Sequence, residues 1–179
     1  MRIFIAIDIP SKVKDYLFKF QAKIKTPLAK VSWVAKSKLH LTLKFFGELN
    51  EIQLEELKEK LKKINFNSFD VSLDSIGVFP DDEFIKIIWL GLKPDDSLIK
   101  LQHLIDSETL EIVSSEQHFR SHLTLGRVKW IKNKPQYVKF LSDFSPKGIR
   151  FRIEKFCLYN SNLTKDGPNY ERLEEYSLN

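Results

Sequence analysis

The tetrapeptide His40-Leu-Thr-Leu43 is repeated letter for letter as His122-Leu-Thr-Leu125, once in each half of the 179-residue chain. Both copies lie in apolar stretches whose composition predicts β-strands. Because side chains alternate between the two faces of a strand, the leucines of each copy share one face and the His-Thr pair shares the other. The repeat therefore predicts two similar halves, each with a leucine face toward a core and a His-Thr pair pointing away from it.

The sequence around the repeat alternates predicted strands and helices in the order β-α-β-β-α-β-β-α-β, which indicates an α+β fold. The first nine residues are β-branched and predict a buried strand, and Ser11 is positioned as the N-cap of the helix that follows. The predicted strands are 1–9, 31–34, 39–46, 69–78, 84–92, 121–128, 149–159 and 170–178. The predicted helices are 12–25, 51–64, one that begins at 95 or 96, and a short one over 134–142.

Composition excludes several classes of protein. Hydrophobic residues make up 42% of the chain and charged residues 30%, which is typical of a globular protein. Cys157 is the only cysteine, so a disulfide framework and a cysteine-based zinc site are excluded. None of the six glycines forms a phosphate-binding loop or a dinucleotide fingerprint. The first apolar run is interrupted by Asp8 and is too short to cross a membrane, so we expect a cytoplasmic protein.

The repeated pair carries chemistry if the two halves face each other across a cleft. Two imidazoles near one bound group can divide proton transfer, since a neutral histidine accepts a proton while a protonated one donates. The hydroxyls of Thr42 and Thr124 can donate hydrogen bonds to phosphoryl oxygens. This chemistry requires no metal ion. The net charge of +5 permits a polyanionic partner.

Two further residues are candidates for contact with the substrate. Arg127 offers a planar guanidinium suited to a phosphate. Strict alternation places it on the face opposite His122 and Thr124, so it reaches the phosphate only if the strand bulges after Gly126. Phe46 has the same parity as His40 along its strand, which predicts that its ring lines the site.

The motifs and their surroundings resemble the RNA 2′,3′-cyclic phosphodiesterases, also called 2′-5′ RNA ligases, of the two-histidine phosphoesterase superfamily. The resemblance covers nearly the whole chain. It depends on the opening Arg2–Asp8, on Ser32–Val34, on His40–Gly47 with its sequence HLTLKFFG, and on Phe119–Arg127 with its sequence FRSHLTLGR. Ser121 departs from the pattern, because proline is expected before the second histidine.

The resemblance implies one bilobal domain over residues 1–179, with two antiparallel sheets around a central cleft, helices outside and pseudo-two-fold halves. It implies hydrolysis of RNA 2′,3′-cyclic phosphate ends to a 2′-phosphomonoester, with no metal and no other cofactor. In the family pattern His40 is the proton donor and His122 is the proton acceptor. We expect the protein to be a monomer with no obligate protein partner, acting on RNA that ends in a cyclic phosphate.

Three alternatives remain open at this stage. The same histidines can join RNA ends through a 2′-5′ linkage, the substrate can be a small cyclic nucleotide, or the fold can serve as a non-catalytic RNA-binding module. Turnover of a cyclic-phosphate-ended oligonucleotide separates an enzyme from a binding module. Comparison with a mononucleotide separates the two classes of substrate.

Overall fold

The computed structural model describes residues 1–115, 118–165 and 167–179. The strands within these residues are β1 (Arg2–Asp8), β2 (Ala29–Trp33), β3 (His40–Glu48), β4 (Phe69–Phe79), β5 (Ile87–Lys93), β6 (His122–Ile131), β7 (Arg150–Ile153), β8 (Lys155–Thr164) and β9 (Gly167–Ser177). The α-helices are α1 (Ser11–Lys23), α2 (Glu51–Lys62), α3 (Asp96–Glu108) and α4 (Lys134–Ser142).

The strands form two antiparallel sheets, which confirms the predicted α+β class. One sheet has the strand order β3-β1-β8-β9 and the other has the order β2-β6-β5-β4-β7. Strand β3, at the edge of the first sheet, contacts β6 of the second sheet. The two copies of the repeated tetrapeptide therefore start strands that meet between the sheets.

Strand β1 is buried on both faces, as its continuous apolar sequence predicts. Ile3, Ile5 and Ile7 point into the main hydrophobic cluster, which also contains the leucines of both repeats. Phe4 and Ala6 point to the opposite face, where they pack with Cys157 and Tyr159 in a second, smaller cluster. This second cluster lies beneath the ring of His40, because Phe4 contacts that ring with a centroid separation of 5.4 Å.

The prediction of one continuous strand over 149–159 is wrong, because this stretch contains parts of two strands. Strand β7 pairs with β4 in the five-stranded sheet, whereas β8 pairs with β1 in the four-stranded sheet. The chain passes from one sheet to the other at Glu154, whose carbonyl accepts a hydrogen bond of 2.7 Å from the amide of Leu178. A run of strand-forming residues does not reveal this break, because both halves of the run have strand composition.

Two predicted boundaries also differ from the structure. Helix α1 begins at Ser11 itself and has Pro10 at the N-cap position, which suits proline because the amide it lacks needs no partner there. Strand β5 begins at Ile87 rather than at residue 84. The carboxylate of Asp81 accepts hydrogen bonds of 2.9 Å from the amides of Glu83 and Phe84, and these bonds hold the backbone in a turn.

Candidate active site

Each repeated histidine is the first residue of its strand, and the two have the same local geometry. His40 Nδ1 is 2.7 Å from the carbonyl of Lys38, and His122 Nδ1 is 2.7 Å from the carbonyl of Arg120. A carbonyl can only accept, so Nδ1 carries the proton and donates in both cases. Each ring therefore has Nε2 left for chemistry, as a base when neutral and as an acid when protonated.

The two histidines interact across the junction between the sheets. Burial is the largest cause of the lowered pKa of His40, and a positive charge on His122 lowers that pKa slightly further. The hydroxyl of Thr42 lies 3.1 Å from His40 Nε2 and donates to it when the ring is neutral. Thr42 and Thr124 are both half-buried, each two residues after its histidine on the same face of its strand. The two His-Thr pairs thus lie at the starts of β3 and β6, the two strands that meet between the sheets.

The ring of His40 lies among aromatic side chains that the prediction did not include. The ring of Tyr170 meets it edge-on with a centroid separation of 5.2 Å. A cavity of about 70 Å³ opens beside it, with Asp8 and Tyr159 among its lining residues. Burial lowers the pKa of His40, while the carbonyl of Lys38 and the negative charge of Asp8 act in the opposite direction. Tyr170 is remote in sequence, so no local pattern could have assigned it to the site.

The ring of His122 has a different environment. It stands edge-on to Phe79 at a centroid separation of 5.0 Å, and Trp89 lies at 6.2 Å. The guanidinium of Arg120 stacks 4.5 Å from the centroid of Trp89. Burial lowers the pKa of His122, the hydrogen bond to the Arg120 carbonyl acts in the opposite direction, and the positive charge of Arg120 adds a smaller lowering. Arg120 was not predicted, although its position two residues before His122 was a signal that could have identified it.

Trp89 can support His122 because a glycine lies beneath its ring. A Cβ added at Gly77 would be 2.2 Å from Trp89 Cζ2, which is shorter than any real contact between such atoms. Gly77 and Trp89 are direct cross-strand partners in β4 and β5. The lack of a side chain at residue 77 therefore allows the indole to lie flat over the sheet beside His122.

The side chain of Arg127 lies on the same face of β6 as Thr124, because a bulge in the strand reverses the alternation between them. In the pairing of β5 with β6, Ile88 is opposite Gly126 while the next residue, Trp89, is opposite Thr124, so Leu125 is the extra residue. This bulge lies immediately before Gly126, one step earlier than expected. It reverses the alternation, and the Arg127 side chain is exposed while Leu125 stays in the core.

The position of Arg127 is linked to the His40 side of the cleft through Tyr170. Burial raises the pKa of the Tyr170 hydroxyl, and the positive charge of Arg127 partly offsets that effect. Since Tyr170 packs edge-on against His40, the charge of Arg127 acts on a residue of the His40 side of the site.

A buried glutamine, Gln21, hydrogen-bonds to the bulge that places Arg127 on the Thr124 face of β6. The Gln21 amide on α1 donates hydrogen bonds of 2.8 Å to the carbonyl of Leu125 and 2.9 Å to that of Val34. The amide of Val34 also donates to the Leu125 carbonyl, at 2.9 Å. Gly126 is required beside this junction, because a Cβ there would lie 2.5 Å from Val31 Cγ1. The polar residue Gln21 on an otherwise apolar helix face was a sequence signal that the prediction did not use.

The prediction that Phe46 shares a face with His40 is wrong. Its side chain is only 5% exposed and belongs to the main hydrophobic cluster. The pairing of β1 with β3 slips at Leu43 and again at Phe46, and the first slip reverses the alternation after Thr42. Phe45 takes the predicted place instead: it is 57% exposed and its ring lies 5.6 Å from that of Phe4, which also contacts His40.

The two remaining histidines lie outside this arrangement. His103 is exposed on α3, and His118 is exposed before β6. In the part of the chain that the structure describes, no group of three or more histidine, cysteine, aspartate or glutamate side chains could hold a metal ion. Among the same residues, no helix is both long and apolar enough to cross a membrane.

Comparison with known proteins agrees with this geometry. The family model described as LigT like Phosphoesterase matches residues 7–89. The RNA 2′,3′-cyclic phosphodiesterase of Methanocaldococcus jannaschii is 35% identical, with 98% of this chain and 100% of that protein covered. The protein of the same name from Thermotoga maritima is 33% identical, with 98% and 94% covered.

A solved structure extends the likeness to the full fold. The crystal structure of E. coli LigT complexed with 3′-AMP superposes with a TM-score of 0.82 at 26% identity, over 99% of this chain and 97% of that one. Sequence identity and fold thus agree over nearly the whole length, and the family model matches part of the first half. The chain therefore belongs to the LigT-like phosphoesterases of the two-histidine superfamily, and it is an enzyme of that family.

Proposed function

We propose that this enzyme hydrolyses RNA 2′,3′-cyclic phosphate ends to 2′-phosphomonoesters, with two histidines and no metal ion performing the proton transfers. The observation that carries the proposal is the repeated geometry of His40 and His122, each with Nδ1 bonded to a backbone carbonyl and Nε2 left for the substrate. The names of the relatives from M. jannaschii and T. maritima support the choice of substrate.

The proposed reaction exchanges one phosphorus–oxygen bond for another. A water oxygen attacks phosphorus while His122 Nε2 takes the proton that the water loses. The bond between phosphorus and the 3′ oxygen breaks, and His40 Nε2 delivers a proton to that oxygen. The products are a 3′ hydroxyl and a 2′-phosphomonoester, and the two histidines end with their protonation states exchanged.

The charges around the two rings support this division of roles, which the identical motifs alone leave undecided. Asp8 is the cross-strand partner of His40, and its negative charge favours the protonated ring that an acid needs. Arg120 is two residues from His122, and its positive charge favours the neutral ring that a base needs. These two charges act in the directions that suit His40 as donor and His122 as acceptor, within surroundings whose largest effect, burial, lowers the pKa of both rings.

The remaining polar groups bind the phosphate in this proposal. The hydroxyls of Thr42 and Thr124 donate to the two non-bridging oxygens, one from each half of the site. Arg127 adds a positive charge close to the same oxygens, where it balances the negative charge that grows as water attacks. We further propose that residues 1–179 act as one bilobal, monomeric domain in the cytoplasm, without a cofactor.

The test uses an oligonucleotide that ends in a 2′,3′-cyclic phosphate, with 2′-phosphate formation followed by phosphorus NMR. General acid and base catalysis typically contributes about 10² to 10⁴ each, so His40→Ala and His122→Ala should each lose at least about 10²-fold in kcat/KM. The double variant should be little slower than the slower single variant, because the two groups act as a unit.

A histidine outside the site provides the matched control. His103→Ala removes an exposed histidine from α3 and should leave kcat/KM unchanged. Circular dichroism and thermal melting establish that each variant is folded. A folded His40→Ala or His122→Ala protein with near-wild-type turnover would refute the proposed mechanism.

A further inference from the structure

A groove outside the histidine pair has the character of a nucleic-acid site. It has a volume of about 710 Å³ and runs between the segment that precedes β5 and the second half of β6. Arg127 is one of its lining residues, whereas neither His40 nor His122 is. Its aromatic and cationic residues are Phe84, Lys86, Arg127, Lys129, Trp130 and Lys134.

Two large aromatic side chains in this groove are turned toward solvent. Phe84 is 70% exposed and Trp130 is 52% exposed, although both belong to residue types that are normally buried. The pairing of β2 with β6 slips at Lys129, so Trp130 lies on the same face of β6 as Arg127. Val128 and Ile131 pack against the core from the other face. The two exposed rings are therefore available for stacking with planar groups.

The groove is also positively charged. It contains four cationic side chains and one carboxylate, that of Glu83. Lys134 is engaged within the groove, since its Nζ is 3.5 Å from the Glu83 carboxylate and 5.5 Å from the centroid of Phe84. Among the described residues no ion pair is found for Lys86, Lys129 or Arg127. These three cations are therefore free to meet the phosphates of a ligand.

The groove continues from the proposed catalytic site. Arg127 lines the groove and lies on β6, the strand that also carries His122 and Thr124. Trp130 lies three residues further along β6 than Arg127 and eight residues beyond His122. A base stacked on Trp130 is therefore farther from the histidines than the phosphate that Arg127 contacts, and it can belong to the chain that leads to the reacting nucleotide.

We propose that this groove binds the single-stranded RNA segment on the 5′ side of the cyclic phosphate, with bases stacked on Phe84 and Trp130 and phosphates contacted by Lys86 and Lys129. Positive charge interleaved with exposed aromatic rings is the usual design of a surface that binds single strands without reading their sequence. The inference rests on the proposed function, and it adds that the preferred substrate is an oligonucleotide rather than a cyclic mononucleotide.

The experiment compares a cyclic-phosphate-ended hexanucleotide with the 2′,3′-cyclic mononucleotide that has the same base. The wild-type enzyme should show a lower KM for the hexanucleotide. The variants Phe84→Ala and Trp130→Ala should each raise that KM by about 5- to 150-fold, the range expected for the loss of one stacked base. Both should leave kcat and KM for the mononucleotide unchanged.

The lysines and a control variant test the remaining parts of the proposal. Lys86→Gln and Lys129→Gln should each reduce by about 0.7 the slope of log(1/KM) against log salt for the hexanucleotide. Phe18→Ala removes a ring that is 54% exposed on α1, away from the groove, and should change neither KM. Equal KM values for the two substrates, or groove variants that bind the hexanucleotide as well as wild type, would overturn the proposal.

Failure of the catalytic proposal can be distinguished from failure of this one. If wild type hydrolyses neither substrate, the proposed function is wrong, and the groove is then tested by fluorescence anisotropy with a labelled hexanucleotide. Binding that Trp130→Ala and Phe84→Ala weaken supports the groove on its own. Binding that both variants leave unchanged refutes it, as does equal binding of an acidic peptide.

Discussion

Lys44 and Asp106 form a buried ion pair whose disruption has a calculable effect on stability. The Lys44 side chain is only 1% exposed and that of Asp106 only 9%. Lys44 Nζ donates to the Asp106 carboxylate at 2.6 Å, to the Thr109 hydroxyl at 3.1 Å and to the Val113 carbonyl at 3.3 Å. These three bonds use all three donors of the ammonium group and connect β3 to the end of α3.

The substitution Lys44→Met keeps most of the side-chain volume and removes the charge. It leaves the Asp106 carboxylate buried without its cation, and breaking a buried pair in this way costs about 3–5 kcal/mol in the free energy of unfolding. For a chain of this size, 1 kcal/mol corresponds to about 2–4 °C in Tm, so Tm should fall by about 6–20 °C. The measurements are thermal melting and urea unfolding at neutral pH.

A double variant and a surface variant separate the lost pair from other effects. Lys44→Met combined with Asp106→Leu removes both charges and should recover most of the lost stability, because no uncompensated charge stays buried. Lys58→Met breaks the exposed pair with Glu55 on α2 and should cost less than about 1 kcal/mol. If Lys44→Met alone costs less than about 1 kcal/mol, or if the double variant is less stable than the single one, the reasoning about burial is wrong.

Four further predictions concern the proposed site. Turnover should survive EDTA treatment and metal-free dialysis, because two imidazoles supply both proton transfers; activity lost on chelation and restored by zinc, magnesium or manganese would contradict this. Arg127→Ala should raise KM more than it lowers kcat if the guanidinium holds the ground-state phosphate, and steady-state kinetics with unchanged values would remove Arg127 from the site. Because burial lowers the pKa of both His40 and His122 below about 6.5, kcat/KM should follow a bell with its maximum below that pH. Because of these lowered pKa values, the unfolded chain binds more protons than the folded one at about pH 6. The stability of the wild type should therefore decrease as pH falls below about 6.5, and the stability of His40→Gln should decrease less. A wild-type melting temperature that rises on acidification relative to that of His40→Gln would contradict this sign.

The repeated tetrapeptide was sufficient to predict the two halves, the core-facing leucines and the histidine pair. Leu41 and Leu123 are both fully buried, as strand alternation requires, while His40 and His122 stay on the opposite face. Such a prediction is reliable near the start of each strand, because a period of two needs only the local backbone to be extended. The requirement for a bulge near Gly126 followed from the same alternation.

Only the tertiary structure decided which residues further along each strand share the face of the histidine. The bulges at Leu43 and Leu125 depend on pairing with β1 and β5, so no local sequence pattern reveals them. The first replaces Phe46 by Phe45 on the His40 face, and the second brings Arg127 to the face of Thr124. Contacts between strands remote in sequence also decided the aromatic surroundings of each histidine and the groove beside Trp130. A strand specifies its own alternation locally, whereas its register with a neighbour is set by the neighbour, and the register determines where the alternation reverses.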